Sequence, residues 1–244
     1  MSLEIGNDQD PQHWHEQTDA TNTNRLNALR AAVLGANDGI VSTAGIVMGV
    51  AGATNNRTAL LVAGVAGLVA GAMSMGTGEY VSVSTQRDSE KSILRLEARE
   101  LEAMPETEQR ELAKMYEEKG LDAELATQVA AQLTAHDALA AHADIEFGID
   151  PDELTNPWHA AFASMISFTL GALLPLLCVV LVPASARIVI TVVAVVIALA
   201  ITGLVSARLS LSPPVRAVLR NVVGGLLSMG VTYLIGSLVG IGIG

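Results

Sequence analysis

Long apolar stretches alternate with two polar segments along this chain, and the apolar stretches predict its architecture. Five of them are long enough to cross a hydrocarbon core of about 30 Å as helices that rise about 1.5 Å per residue. The predicted spans are residues 31–53, 58–84, 157–183, 188–207 and 221–244. The pattern therefore indicates an all-α integral membrane protein with five transmembrane helices.

The first polar segment, residues 1–24, is rich in Asn, Asp, Gln and Thr, which predicts a disordered N-terminal tail. It lacks the basic-then-apolar pattern of a signal peptide. Its His13-Trp14-His15 motif has two interpretations, a weak metal site or an interfacial tryptophan in a solvated tail. Transmembrane helices 1 and 2 then occupy residues 25–84, and helices 3 to 5 occupy residues 157–244.

The second polar segment, residues 85–156, is predicted to be a soluble three-helix domain between transmembrane helices 2 and 3. Its first helix continues from the second span to about Met104, and Pro105 suits the first turn of the next. Asp122 is positioned to cap the third helix, which Gly148 ends. Since the domain has few large apolar residues, we expect it to depend on a partner for stability.

Charge is divided unevenly between these segments. The net charge is −11 although half of the residues are hydrophobic, and residues 85–156 carry 18 acidic against 7 basic side chains. Of the 25 acids, only Asp38 and Glu79 lie in the apolar regions. The basic residues favour a cytoplasmic N-terminus and acidic domain, with the C-terminus outside.

An ionisable side chain within a transmembrane helix costs about 2.5–3.5 kcal/mol at its centre, so Asp38 and Glu79 are expected to face a pathway or a partner. The alternative for Asp38 is an interfacial residue that caps the helix or hydrogen-bonds a neighbour. Met75 lies one helical turn before Glu79, so the thioether and the carboxylate share a face. Together they suit a divalent transition metal such as Fe²⁺, or else they are a packing methionine and an interfacial anion.

The acidic domain carries carboxylates spaced three apart on each of its first two predicted helices. If those helices are antiparallel, both pairs face one space and offer oxygen ligands for Fe²⁺, Mn²⁺ or Zn²⁺. A histidine and a glutamate four apart on the third helix are weaker candidates, and a solvated charged face is the alternative for all of them. The candidate metal ligands are Glu97, Glu100, Glu108, Glu111, His142 and Glu146.

Several chemistries are not indicated. The sequence contains no Glu-x-x-His motif and no Walker-type phosphate loop, so neither a di-iron carboxylate bundle nor transport driven by nucleotide hydrolysis is predicted. The single Cys178 excludes a disulfide framework and a thiolate cluster. We therefore predict no enzyme, no permanently bound cofactor and no nucleic-acid partner, and transport driven by an ion gradient.

Two segments make this chain resemble the vacuolar iron transporter family. They are residues 29–43, LRAAVLGANDGIVST, and residues 71–82, GAMSMGTGEYVS. The resemblance extends over residues 25–244 and includes the stretch at 167–176. It implies a homodimer that exports Fe²⁺ from the cytosol in exchange for protons, with its membrane path near the dimer interface.

For single residues, the resemblance implies that Asp38 and Met75 line the translocation path with Glu79 beside them. It also implies a cytoplasmic site made by two pairs of glutamates and a further carboxylate, namely Glu97, Glu100, Glu108, Glu111 and Glu146. Where plant-type members have methionines one turn before Glu146, this chain has His142 and Ala143. The metal preference is therefore not carried over.

The sequence thus predicts a proton-coupled exporter of Fe²⁺, with Mn²⁺ and Zn²⁺ as further candidate ions, in a bacterial inner membrane. A membrane-anchored metal sensor or storage accessory is the first alternative, although an anchor gains nothing from charged residues inside its spans. An uncoupled channel is the second.

Overall fold

The computed structural model describes residues 20–152 and 154–243. The predicted motif His13-Trp14-His15 lies outside the described residues. The described helices are α1 (Ala20–Ala53), α2 (Arg57–Ala103), α3 (Pro105–Glu118), α4 (Ala123–His142), α5 (Pro157–Leu181), α6 (Arg187–Leu209) and α7 (Pro214–Ile243), with one π-helical turn at Ala143–Phe147 after α4.

Five of these helices, α1, α2, α5, α6 and α7, are long and apolar enough to cross a membrane. They coincide with the five predicted spans, and the all-α prediction is confirmed. The lipid bilayer offers no hydrogen-bond partners to the backbone, and a helix satisfies its backbone hydrogen bonds within its own segment, so apolar stretches in lipid form helices.

Two helices extend beyond the predicted elements. The described part of α1 already includes residues 20–24, which were predicted to belong to the tail, since no glycine or proline interrupts the chain between Ala20 and Gly35. The helix α7 begins at Pro214, although residues 208–220 were predicted to be a loop. The backbone N–H groups in the first turn of a helix have no partner within the helix, so the N–H that proline lacks is not missed there. Pro214 is therefore compatible with the start of α7.

The helix α1 is the centre of the membrane bundle and packs closely on α5 and α7. A Cβ atom added to Gly35 would lie 2.7 Å from the carbonyl oxygen of Ser164 on α5. On the other side, Gly236 of α7 meets the backbone of Gly49. Small residues allow such approaches, which provide van der Waals contact where lipid provides no hydrophobic driving force between helices.

The helix α2 connects the membrane bundle to the acidic domain without a break. Its 47 residues correspond to about 70 Å, more than twice the thickness of a hydrocarbon core. Its last turns therefore lie outside the membrane, where α3 and α4 pack around Leu112, Ala113 and Ala130.

Candidate metal centre

Three side chains from three different helices meet in the acidic domain. Glu97 comes from the end of α2, Glu108 from the first turns of α3, and His142 from the last residue of α4. Each offers a ligand atom within 4.8 Å of the others. All three are buried, with 3%, 6% and 0% of their surface exposed.

A one-residue connection positions Glu108 against Glu97. Met104 ends α2, where its N–H donates to the carbonyl of Glu100 at 2.8 Å, and its own carbonyl accepts from the N–H of Glu108 at 3.1 Å. Pro105 opens α3 at its first position, as predicted. The connection leaves little freedom between the two carboxylate-bearing helices.

A break inside α4 positions His142. Asp137 has extended backbone angles (φ −158°, ψ 99°), and its Oδ1 accepts from the N–H of Ala140 at 2.9 Å, as a helix cap does. The short segment that follows carries His142 and ends in the π-helical turn. Gly148 then closes it in the left-handed conformation at φ 64°, which glycine adopts without strain.

The buried cluster has polar atoms without partners. Nδ1 of His142 and Oε1 of Glu97 lie 3.0 Å apart, yet among the described residues neither atom has a partner in hydrogen-bond geometry, and Nε2 of His142 also lacks one. Buried polar groups without partners cost about 1–3 kcal/mol each. A divalent cation shared by these carboxylates and the imidazole would remove that cost, so the donor set fits a metal ion.

The carboxylates of the domain also interact electrostatically. Burial raises the pKa of Glu97 above its ordinary value, and the negative charges of Glu108, Glu100 and Glu111 raise it further. Burial likewise raises the pKa of Glu146, as do Glu97 and Glu111, while His142 opposes the shift. Both shifts indicate a site that favours a bound positive charge.

The six predicted ligands therefore fall into two groups. Glu97, Glu108 and His142 form the buried cluster, and the less buried group consists of Glu100, Glu111 and Glu146. Oxygen ligands with one imidazole suit Fe²⁺, Mn²⁺ and Zn²⁺. Sequence reasoning ranked His142 among the weaker candidates, whereas the structure makes it the most buried of the six.

The structure gives the three predicted pathway residues different neighbours. Asp38 is half-buried and accepts a hydrogen bond from the Ser42 hydroxyl at 2.7 Å. Met75 packs on α5 against a cluster that contains Phe168 and Ala172. Glu79 lines a cavity of about 740 Å³ that neither Asp38 nor Met75 lines.

That cavity contains two residues that sequence reasoning used only for orientation, Arg30 of α1 and Arg220 of α7. They are 190 positions apart in the chain, and no local pattern relates them. The packing of α7 against α1 brings them to one cavity.

Five apolar helices, the second of which continues into a carboxylate-rich helical domain, define a multi-pass membrane protein with a candidate metal centre outside the membrane. The sequence model described as the VIT family matches residues 29–237. This chain belongs to that family.

Similar proteins come from an amoeba and from plants. The "Vacuolar iron transporter" of Acanthamoeba castellanii is 41% identical over 211 residues, which cover 86% of this chain and 78% of that protein. "Vacuolar iron transporter homolog 3" of Arabidopsis thaliana is 37% identical over 217 residues, 88% of this chain and 85% of that protein. "VIT-like transporter 1b" of Glycine max is 36% identical over 217 residues, covering 88% and 78%. These proteins are named as transporters, in agreement with the prediction that this chain is not an enzyme.

Proposed function

We propose that this protein exports Fe²⁺ from the cytoplasm in exchange for protons, with Mn²⁺ as a second substrate. Its relatives are named as iron transporters, and the buried cluster of Glu97, Glu108 and His142 is the observation that carries the proposal. In this proposal the acidic domain collects ions on the cytoplasmic side, in a bacterial inner membrane with the C-terminus outside.

The collecting role rests on the two groups of ligands. The exposed carboxylates Glu111 and Glu146 attract a hydrated cation, and the buried cluster takes it up after partial dehydration. The raised pKa of Glu97 means that protons compete for the same site. Zn²⁺ suits the same donors, so selection among these metals rests on ligand geometry and on metal supply.

The path through the membrane is assigned to Asp38, Met75 and Glu79. A carboxylate in the bundle is costly while it is ionised, and either a proton or a metal ion removes that cost. Alternating neutralisation by the two cations is the physical basis of exchange. The hydrogen bond from Ser42 orients Asp38 and leaves its second carboxylate oxygen for the ion.

A second copy of the chain completes the proposal. Within the domain, Leu96, Met104 and Leu125 are each about half exposed, at 48–50%, although this part of the chain lies outside the lipid. Large apolar side chains at such positions favour a protein partner. In the membrane, a groove of about 470 Å³ between α1 and α7 starts at Ser42, which is bonded to Asp38. A homodimer would cover both surfaces.

Flux into proteoliposomes tests the proposal. With the domain facing outward, the purified protein should carry Fe²⁺ inward under anaerobic conditions while an internal dye reports loss of protons. Asp38→Ala should abolish both signals and keep metal binding by the domain. The matched control is Asp88→Ala, which removes an exposed acid of α2 beyond the membrane. Full flux by Asp38→Ala would refute the path, and flux without a pH change would indicate a channel.

The alternative is a membrane-anchored metal sensor or storage accessory. It is favoured by one observation, that Glu79 lines the cavity of about 740 Å³ and Asp38 does not. A sensor would bind Fe²⁺ through the domain and give no flux in the same liposomes.

A further inference from the structure

The cavity lined by Glu79 also has an apolar wall and a polar end, and the residues of that polar end have no role in the proposed function. It lies between residues 29–37 of α1, the end of α6 and the second turn of α7. Val33, Leu34 and Leu209 contribute aliphatic surface, and Arg30 and Arg220 contribute guanidinium groups. Both arginines are exposed.

The two arginines lie at the membrane boundary. The described spans that contain them start at Leu29 and Pro214, so Arg30 lies in the first turn of one span and Arg220 in the second turn of the other. Both guanidinium groups are therefore expected at the level of the lipid headgroups, on the side of the acidic domain. Among the described residues, no carboxylate lies within 4.0 Å of either guanidinium.

The charge of the lining selects the ligand. Two guanidinium groups and the single carboxylate of Glu79 give a net charge of +1, which disfavours a free divalent cation and favours an anion. Arginine binds phosphate with paired hydrogen bonds. The volume and the aliphatic wall exceed what a free phosphate needs and suit a ligand with an apolar chain.

We propose that an anionic phospholipid occupies this cavity, its phosphate held by Arg30 and Arg220 and one acyl chain lying along Leu34. Basic pockets between transmembrane helices bind lipid headgroups in this way. A choline headgroup would bring a further positive charge to the arginines, so phosphatidylglycerol is expected to bind better than phosphatidylcholine. Glu79 also belongs to the proposed translocation path, so the bound lipid would border that path at its domain-side end.

Lipid binding to the delipidated full chain in an uncharged detergent tests the proposal, with native mass spectrometry as the readout. Phosphatidylglycerol should bind at least about tenfold more tightly than phosphatidylcholine with the same acyl chains. Arg30→Gln/Arg220→Gln should weaken the binding of phosphatidylglycerol about thirtyfold, at about 1 kcal/mol per arginine. Arg30→Lys/Arg220→Lys should restore part of the affinity, because it restores the charges but not the paired hydrogen bonds of the guanidinium groups.

The matched control is Arg208→Gln/Arg216→Gln, which removes two exposed arginines near the same membrane face that do not line the cavity. An equal loss in this control would overturn the proposal in favour of diffuse surface charge. Competition by millimolar inorganic phosphate would show a soluble-anion site and would also overturn it.

A second variant preserves the charges and fills the apolar side. Leu34 is 57% exposed, so Leu34→Trp is tolerated on folding grounds and should exclude the acyl chain. The substitution should weaken the binding of phosphatidylglycerol at least about fivefold, since several CH₂ groups of the acyl chain are no longer buried, at about 0.8 kcal/mol each. Unchanged binding in Leu34→Trp and in the double glutamine variant would show that the cavity is closed, for example by a second copy, and would refute the proposal.

Discussion

Removal of the His142 imidazole should weaken metal binding by the acidic domain. The ring is fully buried, its two nitrogens have no hydrogen-bond partner in the part of the chain that the structure describes, and Nδ1 lies 3.0 Å from Oε1 of Glu97. Interactions with a charged group contribute about 1.5–3 kcal/mol, so His142→Ala should raise the Kd for Mn²⁺ or Fe²⁺ about tenfold to 150-fold.

The affinity is a cleaner readout than stability for this substitution. Truncating a buried side chain costs about 2–5 kcal/mol in lost packing. Removing two buried nitrogens without partners returns about 1–3 kcal/mol for each. Because these terms oppose each other, a small change in the melting temperature of the apoprotein is expected beside a large change in Kd.

Mn²⁺ titration of the full chain in detergent, followed by pulsed electron paramagnetic resonance, is the suitable assay. A ¹⁴N modulation reports directly coordinated imidazole and should disappear in His142→Ala. The matched control is His136→Ala, an exposed histidine of the same helix that precedes the break at Asp137. Persistence of the ¹⁴N signal in His142→Ala, or an unchanged Kd, would refute the assignment of His142 as a ligand.

Three further predictions concern stability and positioning. The pKa of Glu97 is raised above its ordinary value of 4.5 in the folded apoprotein, so the stability that protonated Glu97 contributes is present below pH 4.5 and is lost as the pH rises through the folded-state pKa. Glu97→Gln should therefore raise the melting temperature of the apoprotein at pH 7 and not near pH 4. A difference in melting temperature that does not depend on pH would contradict this. Gly39→Ala should destabilise the bundle by about 1–3 kcal/mol in thermal unfolding because its Cβ meets the backbone of α5, whereas Gly78→Ala, with open space around it, should not. Asp137→Ala removes the acceptor for the N–H of Ala140, so it should lower the free energy of unfolding by about 1 kcal/mol and lower the metal affinity. Asp137→Asn keeps an acceptor and should restore both quantities. Thermal unfolding and metal titration measure them.

The membrane part could be predicted from the sequence because lipid leaves the backbone few choices. An apolar stretch of sufficient length must form a helix, and the spans at α1, α2, α5 and α6 followed from length alone. The error at α7 shows the limit of that reasoning. Pro213 and Pro214 read as a loop, whereas a proline is compatible with a first turn and the helix begins at the second of them.

The metal centre could be predicted in part. Three-residue spacing places Glu97 with Glu100 and Glu108 with Glu111 on shared helix faces, which holds for any regular helix. Burial depends instead on how α3 and α4 pack, and neither spacing nor composition encodes it. His142 reaches the buried cluster through the break at Asp137, which no turn residue such as glycine or proline signals.

The continuity of α2 constrains how the two parts of the molecule cooperate. Glu97 follows Glu79 by 18 residues on one unbroken helix, a separation of about 27 Å. A single ion cannot contact both carboxylates, and no residue of α2 between them has non-helical backbone angles that would break the helix. In the proposed function, an ion that leaves the buried cluster therefore crosses this distance through water or along other carboxylates. We expect α3 and the segment of α4 beyond Asp137 to move when the ion is released, because Met104 separates α3 from α2 and Asp137 interrupts α4.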